Sequence, residues 1–271
     1  MFKNLFLVVL VSGVMLGCSS APKEPQLGDV SNLYNQGLDH MMDRNFNEAI
    51  FTFQELERQH PYSGWSTRAQ MMIAYAQYRQ GLNGESLATI DRFIRLHPGH
   101  KNLAYMYYLR AMNHYTRISD VKRDQSHTEA AKQAFEEVIR RFPDSRYARD
   151  ARLKLTLTRD HMAGKEMAVG RFYQEKGKYL AAMNRFKRVV DEYDRTLQVP
   201  EALYRLTETY FALGLDEQAQ KSAAVLGHNY PESEWYRHAY GLLKKEGYLE
   251  EGRWKEDKEG GILGKLKSAF N

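Results

Sequence analysis

The chain has 271 residues and a single cysteine, Cys18. No disulfide can close within it, and no cysteine-based metal site can form. Proline is scarce, at 7 residues. Runs of alternating Val, Ile and Thr are absent after the first 15 residues, which argues against a sheet. No phosphate-binding loop, G-x-S-x-G or H-E-x-x-H occurs, so the common enzyme signatures are missing. His97 and His100 stand close together across Pro98-Gly99, but no third ligand accompanies them, and no metal or other cofactor is expected. Charge of one sign is not in large excess: 39 basic and 34 acidic residues leave +5. A nucleic-acid binder concentrates its basic residues on one face of a recognisable module, and neither is evident, so nucleic acid is not expected as a partner.

Hydrophobic residues make up 43% and charged residues 27%, the balance of a folded chain with a mixed surface. Ala, Leu, Arg, Gln and Glu are plentiful, which favours helix. At the start, Lys3 precedes an apolar run from Leu5 to Val14 that only Ser12 and Gly13 interrupt. That run is too short to span a bilayer comfortably and reads as a signal peptide, residues 1–17. Met15-Leu16-Gly17-Cys18 resembles a bacterial lipobox, with Met and Leu where Leu and a small or β-branched residue are usual. Cleavage before Cys18 and its acylation would anchor the chain to a membrane, and a cysteine with several acyl chains holds far better than one with a single chain. Residues 18–29, with Pro22, Pro25 and Gly28, form the expected flexible linker.

Four phrases then recur: His60-Pro61, His97-Pro98, Phe142-Pro143 and Tyr230-Pro231. Twelve residues before these prolines stand Ala49, Ser86, Ala131 and Ala219. A further twelve before Ala49 and Ser86 stand Gly37 and Ala74. Two small residues and a proline at fixed offsets mark a tetratricopeptide helix pair, because antiparallel helices 8–10 Å apart need small side chains where they cross. The expected fold is all-α: a tetratricopeptide-repeat solenoid of five helix-turn-helix repeats and a C-terminal capping helix over 234–248. Repeats 1–3 fill 30–145. A long helix, repeats 4 and 5 and the cap fill 146–248.

The first repeat turns at Asn45. In the third, Ala111 and Ala131 are 20 apart, and the eight extra residues form a polar loop around 119–126. The long helix is expected from Arg146 to Met162, ending near Gly164. The fourth repeat uses Gly170, Ala182, Phe186 and Val189 and has Asp194 in place of proline. The tail, 249–271, is charged and glycine-rich, then carries Ile262, Leu263, Leu266 and Phe270 at helical spacing. That stretch reads either as a short docking helix or as a frayed end.

Tyrosines gather on the expected first helices of repeats 2 and 3: Tyr75, Tyr78, Tyr105, Tyr107, Tyr108 and Tyr115. Tyrosine offers an apolar ring and a polar tip at low entropy cost, which suits peptide recognition, although about half of these rings are expected in the core. Arg68, Arg79 and Arg110 on the same helices are suited to a carboxylate.

Several runs are more specific than the repeat pattern: IDRFIRLHP (90–98), RDQSH (123–127), KEMAVGRFY (165–173) and YLAAMNRFK (179–187). With the lipobox, they closely resemble the BamD (ComL) family of outer-membrane assembly lipoproteins over residues 30–245. The resemblance implies a non-enzymatic scaffold of the β-barrel assembly (BAM) complex, lipid-anchored at the periplasmic face of the outer membrane. Its implied partners are BamA, other BAM lipoproteins and unfolded outer-membrane barrel proteins. It implies that Asn184 and Arg185, the family's Asn-Arg pair, face BamA. It also implies an N-terminal substrate groove involving Tyr62, Trp65, Arg68 and Tyr75, to which the repeat reading adds Tyr78, Tyr105, Tyr108 and Arg110. Two other readings stay open: a tetratricopeptide lipoprotein for a pilus secretin or cell-division assembly, and an envelope enzyme acting on peptidoglycan.

Overall fold

The small-residue spacing becomes a set of helix pairs in which a ring packs against a glycine or a small side chain. A computed structural model describes residues 27–121 and 123–249, and among these there are eleven α-helices and no strand. In chain order they are α1 (Leu27–Met42), α2 (Phe46–Gln59), α3 (Gly64–Arg79), α4 (Asn83–Leu96), α5 (Leu103–Tyr115) and α6 (Ser126–Arg141). Then follow α7 (Arg146–Glu175), α8 (Tyr179–Glu192), α9 (Val199–Ala212), α10 (Asp216–Asn229) and α11 (Glu234–Lys245). The signal segment, Cys18 and the 262–270 stretch lie outside the described residues. Helix begins at Leu27, three residues before the expected start at Val30.

The helices fall into two compact units that divide between Ala76 and Gln77, inside α3. In the first unit, Val30, Ala49, Phe53, Leu56, Ala69 and Ile73 make one buried cluster. In the second, one cluster centres on Phe135 and Val138, and a larger one runs from Ala163 and Phe186 to Ala239 and Leu243 of α11. Within this unit each helix from α4 to α10 packs on its successor, and α9 packs on both α10 and α11.

Glycine has a steric reason at two of the small positions. A Cβ built on Gly37 would lie 2.5 Å from the Phe53 ring, and one on Gly170 would lie 2.5 Å from the Phe186 ring. Both rings are fully buried. The small residue therefore seats the ring four positions after the second small residue, and does more than allow two helix axes to cross.

Turn geometry adds to the reading of the first repeat, whose turn does include Asn45 as the N-cap of α2. Seven residues after the small residue of repeats 2, 4 and 5, Gly81, Gly177 and Gly214 take left-handed φ values of 77°, 67° and 69°. In repeat 1 that place belongs to Arg44, with φ 59°. A side chain in this region costs roughly 1–2 kcal/mol, part of which glycine returns through its freer unfolded chain. Arg44→Gly is therefore expected to raise the stability of the first unit by about 0.5–1 kcal/mol, read from the urea midpoint. A lowered midpoint would contradict the turn assignment.

Every second helix ends alike. The backbone N–H groups of His60, His97, Phe142, Tyr193 and Tyr230 donate to the carbonyl four residues back. Proline follows four of these residues, and Asp194 follows Tyr193 with the same cap, so the missing proline does not alter the ending.

The long helix does not stop near Gly164. α7 runs unbroken for 30 residues, Arg146–Glu175, between the cap at Ser145, whose Oγ accepts the Ala148 N–H, and the left-handed Gly177. One glycine costs about 1 kcal/mol in a helix, which the surrounding helix formers Ala163, Lys165, Glu166, Met167 and Ala168 and the burial of Ala163 and Met167 outweigh. The repeat-3 loop is held by Gln125, whose Nε2 donates to the carbonyls of Asp120, Val121 and Arg123.

Candidate functional site

The predicted aromatic residues divide between the two units. In the first, Tyr62 is fully exposed in the turn between α2 and α3. Trp65 is half-buried, its ring 5.0 Å from Tyr34, and the Arg68 guanidinium lies 4.8 Å over it. Burial of Tyr34 raises its hydroxyl pKa, and the nearby Arg68 charge opposes the rise. Tyr75 is half-buried on the same helix as Trp65.

In the second unit Tyr105 and Tyr108 meet Tyr147 of α7, with ring centroids 5.5 and 5.4 Å away. The Tyr108 hydroxyl donates to Asp150 Oδ2. Burial first, and then this carboxylate, with Tyr78 and Tyr147 adding to it, push the Tyr108 pKa well above the usual phenol range. The hydroxyl therefore remains a neutral donor at any physiological pH. Arg146 extends the surface, its guanidinium 4.9 Å over Tyr147 and its Nη2 donating to the Tyr147 hydroxyl at 2.7 Å. Tyr107 is buried.

Arg110 does not join these tyrosines. Two residues after Tyr108 on a helix, it points about 160° away. It stacks over Tyr107 at 4.7 Å and pairs with Glu137 of α6 and Asp91 of α4. Its charge is thus committed to two carboxylates of its own chain.

Asn184 is exposed on α8, and Arg185 stands a quarter turn round, toward α7. Arg185 Nη1 donates to Glu166 Oε2 at 3.0 Å, and Arg188 Nη1 donates to Glu166 Oε1 at 3.1 Å. Arg188 also donates through Nε to Glu192 at 2.9 Å, and that bond raises its pKa. Glu166 is buried, so two guanidiniums at the rim neutralise a carboxylate that could not otherwise stay dry. Its signal in the sequence is a glutamate on the apolar stripe of Ala163, Met167 and Gly170.

A second network, which the sequence reading missed, joins α7, α9 and α11. Arg171 Nη1 donates to both oxygens of Glu201 at 2.9 and 3.0 Å. Arg205 Nη1 donates to Glu208 at 2.9 Å and its guanidinium lies 5.7 Å over Trp235. Tyr204 donates to Glu208 at 2.7 Å, and burial together with that bond pushes its pKa up to about 12. Among the described residues no three His, Cys, Asp or Glu side chains gather as metal ligands would.

Comparison with other proteins gives these surfaces a context. A family model described as "YfiO: Outer membrane lipoprotein" matches residues 27–226. Outer membrane protein assembly factor BamD of Caulobacter vibrioides is 45% identical, over 88% of this chain and 80% of its own. The Rickettsia prowazekii protein of the same name is 42% identical, over 89% of this chain and 97% of its own. That of Neisseria gonorrhoeae is 33% identical, over 88% of this chain and 95% of its own.

Proposed function

The chain belongs to the BamD family of outer membrane protein assembly factors, and from that premise we propose that its fourth repeat binds BamA while its tyrosine surfaces receive unfolded barrel proteins. The protein is a non-enzymatic scaffold of the BAM complex, associated with the outer membrane. Acylated Cys18 holds it there, on the periplasmic side.

One observation carries the substrate reading: Tyr105, Tyr108 and Tyr147 stand ring to ring on two neighbouring helices. An extended strand ending in an aromatic residue can lay that ring among them. With Arg110 already paired, the strand's terminal carboxylate falls to Arg146, which lies over Tyr147. In the first unit Tyr62, Trp65, Arg68 and Tyr75 supply the same chemistry, an exposed ring and an arginine beside an indole. In the fourth repeat, Glu166 supports the BamA assignment by fixing Arg185 in a defined orientation at the surface.

The reading is tested with a photoreactive peptide copied from the last strand of an outer-membrane barrel protein. The expected adducts fall on residues 62–108 and on Tyr147, and Tyr105→Ala with Tyr147→Ala weakens capture about tenfold, at about 0.5–1.5 kcal/mol for each lost ring contact. Adducts confined to residues 165–245 would refute the groove. The rival assignments, to a secretin or a cell-division assembly, predict no capture of such a peptide.

A further inference from the structure

α7 is 30 residues long and its antiparallel neighbour α8 only 14. Phe186 lies against Gly170, which sets their register. Glu192, the last residue of α8, is six positions past Phe186 and therefore level with about residue 164 of α7. Residues 146–160, about 22 Å of helix, extend beyond it.

The outward face of that extension is also bare of α9. Arg171 stands 18 residues after Leu153, five full turns, so the two share one face of α7. At Arg171 and Gln174 the face is tied to α9 by side-chain hydrogen bonds to Glu201 and Glu208. Further toward the N-terminus, Leu153 and Leu157 are 61% and 49% exposed, at i and i+4. The α8–α9 loop adds a third leucine. The Leu197 N–H donates to Asp160 Oδ1 at 2.8 Å, one turn from Leu157, and the Leu197 side chain is 84% exposed.

The surroundings are basic. Arg149 and Arg152 are exposed on the same stretch, Arg152 also donating to the Pro143 carbonyl at 3.1 Å, and Arg195 is exposed two residues before Leu197, next to the exposed Asp194. The two acids of residues 146–160 are engaged: Asp150 with Tyr108 and Lys154, and Asp160 with the Leu197 amide.

We infer that this ledge of α7 is a docking site for an amphipathic helix of a partner protein, aliphatic along one stripe and acidic beside it. The helix lies along the face of α7 that, further on, is bonded to α9 through Glu201 and Glu208. Charge excludes the other occupants. A second copy related by a two-fold axis would bring the same arginines against these, and the chain's own apolar stretch at 262–270 carries Lys265 and Lys267 and no acid. Three aliphatic side chains without an exposed aromatic ring also make a poor membrane-surface anchor. A helix laid in a groove with i, i+3 and i+4 anchors matches the length and the leucine spacing.

The test is site-specific photocrosslinking in intact outer membranes, with benzoylphenylalanine in the full-length protein at Leu153 or Leu157, and at exposed Glu232 as control. The expected adducts lie on one partner protein, in an acidic segment, at positions spaced three or four apart. Arg149→Glu with Arg195→Glu should lower their yield about fivefold, while helical content is unchanged. Adducts to lipid, to residues 250–271 or to a second copy would overturn the inference, as would a yield no higher than at Glu232. Arg185→Glu does not touch the ledge, so loss of the BamA contact and loss of this site read out separately.

Discussion

Phe186→Ala is expected to lower the stability of the second unit by about 3–5 kcal/mol, the cost of emptying a buried ring site. Phe186 is fully buried among Ala163, Met167, Ala182, Val189 and Leu206. Gly170 contributes no side-chain atom to fill the space, since its missing Cβ is what admits the ring. The cavity thus cannot collapse from that side. Whole domains are stable by only about 5–15 kcal/mol, so the variant sits near the edge of folding. Urea unfolding followed by circular dichroism measures the loss, and an unchanged slope with a shift under about 1 kcal/mol would contradict the packing account. The reciprocal change tests the same contact. Gly170→Ala should destabilise despite alanine's better helix propensity, because the new Cβ meets the Phe186 ring at 2.5 Å.

The second large effect concerns partner capture. Arg185→Glu places a new carboxylate beside buried Glu166 and leaves Arg188 as its one cation. BamA recovery should fall at least about tenfold, the scale of losing an interfacial arginine. Arg185→Lys keeps the charge but gives up the planar fork, so recovery should be intermediate. Glu166→Gln is the more discriminating variant. It leaves Arg185 at the surface but removes the carboxylate that orients it, and recovery should fall with Arg185 still present. Thermal unfolding of Arg185→Ala should move by less than about 1 kcal/mol, because the lost pair is partly exposed and Arg188 still bridges Glu166. A large loss of helical content in Arg185→Ala would mean that the arginine acts through folding.

The repeat framework was legible because small residues and prolines act locally, at fixed offsets. Gly37, Ala49, Phe53, Gly170, Ala182 and Phe186 are buried as that spacing predicts. The break at Gly164 was misread because a lone glycine weakens a helix without ending it, whereas Gly177 in a left-handed conformation does end one. The left-handed place in the first turn fell to Arg44, a residue type that gives no turn signal. Clustering of Tyr105 and Tyr108 was expected, but their partners Tyr147 and Asp150 come from a helix about forty residues away, which periodicity cannot register. Arg110 was grouped with the tyrosines by sequence proximity, and the helical rotation sends it to Glu137 and Asp91. The α7–α9 network was equally hidden, since Arg171 and Glu201 look like ordinary surface charges until two helices bring them together.

The most direct test of the central claim is gentle detergent extraction of outer membranes, affinity capture of the tagged chain and identification of the largest protein that comes with it. A BAM scaffold whose fourth repeat holds BamA predicts that this protein is BamA, captured by the unaltered chain and largely lost with Arg185→Glu. Recovery of a complex containing no outer-membrane barrel protein would contradict the account.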